Sequence, residues 1–378
     1  MPESKKAFVT GATGFLGSHL TVRLLQQGRQ IYALARGSKG ASARERVEQT
    51  LRDVAGSAET ITPYLGRLKV FEGDIAQHDL GLDPQAHSVI AGVDEVWHCA
   101  ASLSFSEEDR EDIFRMNVSG TENVLRAVHN TQSRRLHHVS TAYVAGNRPD
   151  IAMETDIDVG QTFKNAYEES KCRAELLVSE AHYAGRIRAT VYRPSIVIGD
   201  SKTGRITHFH GVYAFIRALW SILERLRRGL AEDAVVHLPM RVLGNLSGTL
   251  NFVPIDYVVE AMALIGSNES SAGRTYHLTN PEPAPNAIWL PHICRVFRVE
   301  GLRLCSAEEF AREPMNKLEL MFQKQMAFYY MYLQGEPRFD CRRTLEALQG
   351  SGIECPPVSP EFVERMAGWY LKFLNQKQ

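Results

Sequence analysis

The chain has 378 residues, and its 43 Lys and Arg against 44 Asp and Glu leave a formal net charge of −1. At roughly 150 residues per domain, that length predicts two or three structural units and is ample for a large buried core. The near-neutral total argues against a nucleic-acid partner, which leaves a basic footprint. With 44% hydrophobic and 23% charged residues, disordered, collagen-like and low-complexity classes are excluded.

Six cysteines are too sparse for a disulfide scaffold, and none forms a Cys-x-x-Cys pair. No signal-type apolar stretch opens the sequence, and no apolar run approaches the length of a transmembrane helix. The expectation is a cytoplasmic chain without a transmembrane segment.

Short apolar runs at 7–10, 30–35, 68–74, 95–100, 136–140 and 190–193 predict strands. Helical patterns at 14–27, 43–54, 109–130 and 165–184 lie between them. This alternation predicts right-handed βαβ units and an α/β fold, a Rossmann-type doubly wound parallel sheet. The strands are nearly continuous apolar runs, as in sheets covered on both faces.

After about Gly199 the rhythm changes. Residues 201–210 read as a polar loop. Residues 213–228 read as a helix with Phe215, Ile216, Leu219, Trp220, Leu223 and Leu226 on one broad face. Short strands are expected at 250–255 and 275–278, then a helical stretch from 306, with a proline-containing break at 354–360. The expected division is a first domain over 1–200, rejoined by 250–280, and a smaller, mostly helical region over 201–378.

The first strand runs directly into Gly11-Ala12-Thr13-Gly14-Phe15-Leu16-Gly17. Glycines three apart permit a tight turn and a close approach of backbone to a pyrophosphate. The helix that follows offers free N–H groups and a partial positive charge to that anion. A lone Gly-x-x-Gly-x-x-Gly is weak; its position between strand and helix makes it a dinucleotide site. An acid at the end of the second strand would bond the ribose hydroxyl of NAD, whereas an arginine suits the 2′-phosphate of NADP. The sequence there is Ala35-Arg36-Gly37, with Arg44 and Arg46 close behind, so NADP(H) is expected.

Tyr167 and Lys171 lie four apart on a predicted helix and so share one face. A nearby ammonium favours phenolate, so Lys171 is expected to lower the pKa of Tyr167 and make it a general acid or base. Lys171 is also placed to bond the nicotinamide ribose. The pair follows a predicted strand ending in Val139-Ser140-Thr141.

These pieces, with Gly73-Asp74-Ile75, His98-Cys99-Ala100-Ala101, and Asn117-Val118-Ser119-Gly120-Thr121, resemble the extended short-chain dehydrogenase/reductase family over roughly residues 7–280. The resemblance implies that Gly11, Thr13, Gly14, Phe15, Leu16 and Gly17 form the cofactor turn. It also implies that Asp74 and Ile75 contact the adenine, that Ala100 and Ala101 pass under the cofactor, and that Thr141 is the catalytic hydroxyl, with Ser140 next in line. Asn117 is left between scaffold and water relay. Arg193, Pro194, Ser195 and Val197 are assigned to the cofactor site.

Nucleotide-sugar enzymes of the family carry an Asn soon after the arginine of the sixth strand. This chain reads Arg193-Pro194-Ser195-Ile196-Val197 instead. It resembles the fatty acyl-CoA reductase and carrier-protein thioester reductase branch, the male-sterility type, also through Asn251-Phe252-Val253-Pro254-Ile255-Asp256. The resemblance implies NADPH-dependent reduction of an acyl thioester, on CoA or a carrier protein, to an aldehyde and onward to an alcohol. A ketone, hydroxysteroid or sugar-nucleotide dehydrogenase is the alternative enzyme, separated by its substrate. A non-catalytic NADP-binding protein is the third reading, and retention of both Tyr167 and Lys171 argues against it.

The helix at 213–230 carries Arg217, Arg225, Arg227 and Arg228. It fits an acyl-channel wall with a basic rim, a membrane-surface helix, or an ordinary core helix with a solvated face. The stretch 315–333, with Met321, Phe322, Met326, Phe328, Tyr329, Tyr330 and Met331, reads chiefly as core. His98, His137, His138, His208 and His210 show no metal-ligand spacing, and Cys99 is expected to be inert; no metal is expected. Oligomeric state is left open.

Overall fold

The computed structural model describes residues 4–231, 234–326 and 329–376. The chain forms two compact units. The first takes residues up to 195, 255–279 and 339–354; the second takes 196–254, 280–338 and the residues from 355.

The first unit is built on seven strands: β1 (Lys6–Thr10), β2 (Gln30–Ala35), β3 (Leu68–Glu72), β4 (Glu95–His98), β5 (Arg135–Val139), β6 (Arg188–Pro194) and β7 (Thr275–Leu278). All pair in parallel, in the spatial order β7-β6-β5-β4-β1-β2-β3. The order reverses between β1 and β4. In open α/β sheets, ligands bind at such a switch point, outside the carboxyl ends of the strands.

Four helices matter for the site: α1 (Phe15–Gln26), α2 (Ala43–Ala55), α3 (Gly120–His129) and α4 (Ala166–Tyr183). Local sequence explains their starts. Ser42 and Glu45 form a reciprocal capping box on α2. Asn165 caps α4 by accepting from the Glu168 N–H at 3.0 Å, and Glu168 and Glu169 in the first turn suit the helix dipole.

One face of the sheet buries Phe8, Leu34, Val96, Leu136 and Val191 against Val124 and Val128 of α3 and Val178 of α4. Each such side chain contributes on the order of 1.5–3 kcal/mol. The other face carries stacked rings on neighbouring strands: Trp97 on His137 with centroids 3.9 Å apart, and Tyr192 on Tyr276 at 6.4 Å. Gly266, in the helix Ile255–Ser267, lies against Trp97; a Cβ there would sit 2.5 Å from the indole.

Two expectations need correction. The predicted helix at 109–130 is interrupted: Arg110–Phe114 is α-helical, Arg115–Ser119 forms a π-helical turn, and α3 begins at Gly120. A wide turn of this kind shifts the helix face by a residue. Gly120 meets Ile75 where a Cβ would approach its Cδ1 to 2.9 Å. The expected division also placed 339–354 in the second region, whereas the first unit takes in 255–279, which supplies β7 and a sheet-covering helix, and 339–354 as well. Buried Glu154 ties in that last segment, accepting from the Arg343 N–H at 2.7 Å and the Thr344 hydroxyl at 2.9 Å.

The second unit is mostly helical, but a parallel pair that the sequence reading did not anticipate, Val236–Leu243 with Val299–Cys305, runs through it. Ile196–Ile198 pairs with Phe252–Pro254, so Val197 belongs to this unit. Its helix Val212–Leu226 buries Phe215, Ile216, Leu219 and Leu223, whereas Leu226 is exposed. Phe215 meets Trp289 and Phe322 edge-on at 5.4 and 5.2 Å. Arg217, Arg225 and Arg228 are exposed, and Arg227 donates to the Phe297 carbonyl. Phe322, Met326, Tyr330 and Tyr332 are buried, so the aromatic stretch is core; Phe328 lies outside the described residues. Among the described residues, no helix is long and apolar enough to cross a membrane.

Candidate active site

The glycine turn is as tight as its spacing requires. Gly11 has φ +79°, and a Cβ on it would lie 2.6 Å from the Ala100 nitrogen. A Cβ on Gly17 would collide with the Gly11 carbonyl. The Gly14 N–H donates to that same carbonyl at 2.9 Å. Helix α1 starts at Phe15 with Gly14 as its cap, without a capping side chain and without an acidic residue in its first turn. A helix start of this kind turns its positive dipole end towards an anion. Thr13, Phe15 and Leu16 lie half-buried around the turn. A cradle without Cβ atoms at an uncapped helix start fits the pyrophosphate of a nicotinamide dinucleotide.

At the end of β2, Arg36 is exposed and its guanidinium lies 3.5 Å from the Asp74 carboxylate. Arg46 donates to the Arg36 carbonyl, which fixes the loop. The other Asp74 oxygen accepts from the Ala76 N–H at 2.9 Å. Ile75 is buried, and its carbonyl accepts from Asn123 at 2.7 Å, so its side chain is part of the core. Ala100 and Ala101 follow β4, which ends at His98 rather than at 100, and both are half-buried.

Asn117 projects from the π-helical turn and is buried. Its Oδ1 accepts from the Ser102 N–H at 2.7 Å. Its Nδ2 donates to the Ser102 carbonyl at 3.1 Å and to the Ser170 hydroxyl at 2.9 Å. All of its side-chain groups are engaged with the loop after β4 and with α4, which is the geometry of a clamp.

Thr141, Tyr167 and Lys171 come together. Thr141 caps the short turn after β5 by accepting from the Tyr143 N–H at 3.3 Å, and its hydroxyl donates to the Pro194 carbonyl at 3.4 Å. The Tyr167 hydroxyl is hydrogen-bonded to Thr141. The Phe105 ring tilts against Tyr167 at 5.5 Å. Lys171 is buried and donates to the Val139 carbonyl at 2.7 Å. Ser140 is also buried, but its hydroxyl has no partner among the described residues. The structure thus joins Thr141, not Ser140, to the tyrosine.

The expected electrostatics are reversed at Tyr167. Burial pushes its phenol above the ordinary value, and the Thr141 hydrogen bond opposes this only in part. Desolvation likewise lowers Lys171 to about 8, with Glu175 acting against it. Burial therefore favours the neutral phenol, the form that can donate a hydrogen bond.

Arg193 is a second correction. It is buried, with Nε 3.0 Å and Nη2 2.6 Å from Glu175 oxygens and Nη1 3.2 Å from His277 Nε2. All three guanidinium nitrogens are taken, so Arg193 is a structural ion pair rather than a cofactor ligand. Ser195 donates its N–H to the Leu278 carbonyl at 3.3 Å. The sequence reading missed Glu175, although Tyr167, Lys171 and Glu175 form a stripe at spacing four, which is a visible signal. It also missed Phe105, whose place beside Tyr167 depends on a loop path that no local pattern encodes.

His98, His137 and His138 are buried and held neutral by desolvation, His98 near 3. Among the described residues, no cluster of His, Cys, Asp and Glu is placed to hold a metal ion.

Comparison with known proteins fits this geometry. The family model described as "Male sterility protein" matches residues 9–262. The carboxylic acid reductase of Mycobacterium marinum is 25% identical over 73% of this chain and 24% of its own length. The isonitrile lipopeptide synthase of Mycobacterium tuberculosis is 29% identical over 74% of this chain and 12% of its own. The chain thus spans a quarter or less of these relatives. Among solved structures, the terminal R domain of the myxalamid PKS-NRPS pathway superposes with a TM-score of 0.77 at 26% identity, covering 100% of this chain and 92% of that one. A thiolation-reductase di-domain from an archaeal non-ribosomal peptide synthetase shares the fold, with a TM-score of 0.76 at 21% identity, over 99% of this chain and 76% of that one.

Proposed function

The chain belongs to the male sterility protein family of extended short-chain dehydrogenases/reductases, NAD(P)-dependent oxidoreductases, and from that premise we propose that it reduces an acyl thioester borne on a carrier protein to the aldehyde, using NADPH. The observation that carries the reading is the Tyr167 hydroxyl bonded to Thr141, with Lys171 one helical turn on, in the unit that holds the glycine cradle. The relatives named as a carboxylic acid reductase, a lipopeptide synthase and an R domain support the substrate class.

Gly11, Gly14, Gly17 and the start of α1 would hold the pyrophosphate, with Arg36 at the 2′-phosphate. The bound cofactor supplies a hydride. Tyr167, and Thr141 once its hydroxyl turns from its long 3.4 Å bond to the Pro194 carbonyl, present hydroxyls to the thioester carbonyl oxygen as negative charge grows on it, an electrostatic stabilisation. Tyr167 then gives its proton to that oxygen. The hemithioacetal then breaks its C–S bond as its hydroxyl proton passes to the departing sulfur, releasing aldehyde and thiol. Lys171 sits one helical turn below Tyr167, where an ammonium favours the phenolate left behind.

The test is purified chain with NADPH and matched acyl thioesters of a carrier protein, CoA and pantetheine, with nucleotide oxidation followed and the aldehyde trapped. Thioester-dependent oxidation with aldehyde formation is expected. Turnover of a ketone or hydroxysteroid with inert thioesters would overturn the reading.

A further inference from the structure

Neutral His98 lies at the end of β4, between the glycine cradle and the helix that carries Tyr167. Its Nδ1 is 2.8 Å from the Thr10 hydroxyl, and its Nε2 is 3.1 Å from the Thr121 hydroxyl. With the ring held neutral by burial, proton accounting gives the direction of every bond. Thr121 Oγ1 is 2.6 Å from the Asn117 carbonyl, which only accepts, so the single Thr121 proton points there. Thr121 must then accept from His98, which places the imidazole proton on Nε2. Nδ1 is left as an acceptor, and the Thr10 hydroxyl donates to it. Thr10 Oγ1 in turn accepts from the Ala100 N–H at 3.4 Å.

The chain of donors continues past Asn117. The Asn117 side chain donates to the Ser170 hydroxyl, and Ser170 donates to the Tyr167 carbonyl at 2.8 Å. Every link is in the first unit. One end is the backbone amide against which Gly11 packs without a Cβ; the other is the first turn of α4.

We propose that His98, as the neutral Nε2–H tautomer, is a positioning residue that sets the distance between the cofactor turn and Tyr167 through Thr10, Thr121 and Asn117. It touches neither substrate nor cofactor. A histidine suits the place because its ring offers a donor and an acceptor on opposite edges, at fixed separation, inside a buried segment where an unmatched polar atom is costly. The Asn117 carbonyl lies in the π-helical turn and accepts from the Thr121 hydroxyl.

The kinetic role rests on the reductase reading, but the tautomer does not. Thr121→Val removes the hydroxyl with little change of shape. It is expected to lower kcat about tenfold, the worth of one buried hydrogen bond, with NADPH affinity within about twofold of wild type. Thr121→Ser should restore kcat. Long-range proton–nitrogen spectra of ring-labelled wild-type protein should show His98 as Nε2–H at pH 7, assigned by its loss in His98→Gln or, if that variant does not fold, by its shift in Thr121→Ser. A charged or Nδ1–H His98 overturns the proposal. So does a Thr121→Val variant with wild-type kcat, or one that Thr121→Ser matches rather than rescues. A wild-type chain inert towards thioesters overturns the substrate reading alone, and the kinetic split is then read on whichever carbonyl compound oxidises NADPH.

Discussion

Three buried or half-buried polar side chains succeed one another at spacing four along α4, yet the helix divides them between two tasks. Tyr167 and Lys171, in its first turns, face Thr141 and the end of β5. Glu175, one turn further in, is closed off by Arg193, with its carboxylate 2.6 Å from Nη2. The difference is one of depth along the strands. At their carboxyl ends, backbone and hydroxyl partners leave the tyrosine a proton to give. A turn deeper, the sheet supplies a full counter-charge, and the pair has nothing left for a ligand. A conspicuous arginine in a cofactor-binding unit is thus better explained by the carboxylate it neutralises.

The widest separation between the two ends of the stripe should come from Tyr167→Phe. Its kcat is expected to fall about 10²–10⁴-fold, the range for a lost general acid, while urea unfolding shifts by less than about 1 kcal/mol, the net worth of one hydrogen bond. Unchanged turnover would erase the contrast. Arg193→Met should do the reverse: leaving Glu175 buried without its partner costs about 3–5 kcal/mol, and an added Glu175→Leu should recover part of it. A wild-type unfolding midpoint for Arg193→Met would show that the pair is not structural.

Lys171 sharpens the comparison through pH. Its folded pKa, about 8, lies below the ordinary 10.5. Below about 8 both folded and unfolded states carry the ammonium, and its burial is fully destabilising. Between 8 and 10.5 the unfolded state binds more protons, so stability rises with pH, and above 10.5 the penalty is gone. Activity should run the other way, falling as pH rises through about 8, because the working form is the ammonium. This basic limb should be absent from whatever activity remains in Lys171→Met; its persistence there would assign it elsewhere. The smallest effect is expected at exposed Arg36. Arg36→Glu should weaken NADPH about tenfold and NADH much less, as measured by fluorescence titration, since one charge contact with a 2′-phosphate is at stake. Equal losses for the two nucleotides would remove Arg36 from that role.

Local patterns were sufficient wherever the chemistry is local. The strand–glycine–helix run around Gly11 works because backbone sterics and an uncapped helix start are properties of a dozen consecutive residues. The Tyr167/Lys171 pairing follows from helix periodicity alone, and so did the α/β architecture. The broken helix at 115–119 was not legible, because a π-helical turn is set by what Asn117 and Gly120 meet across space. The strand pair Val236–Leu243 with Val299–Cys305 was missed because its partners lie some sixty residues apart.

The sequence by itself therefore determined the Rossmann order of elements, the tight glycine turn between β1 and α1, and which side chains share a face with Tyr167. Only the tertiary structure decided the burial that pushes that tyrosine's pKa up, the pairing of Arg193 with Glu175, the choice of Thr141 over Ser140, and the place of His98 between two threonines. Periodicity records which way a side chain points from its own element. Desolvation and partner choice depend on the elements it meets, and those are brought together only by the fold.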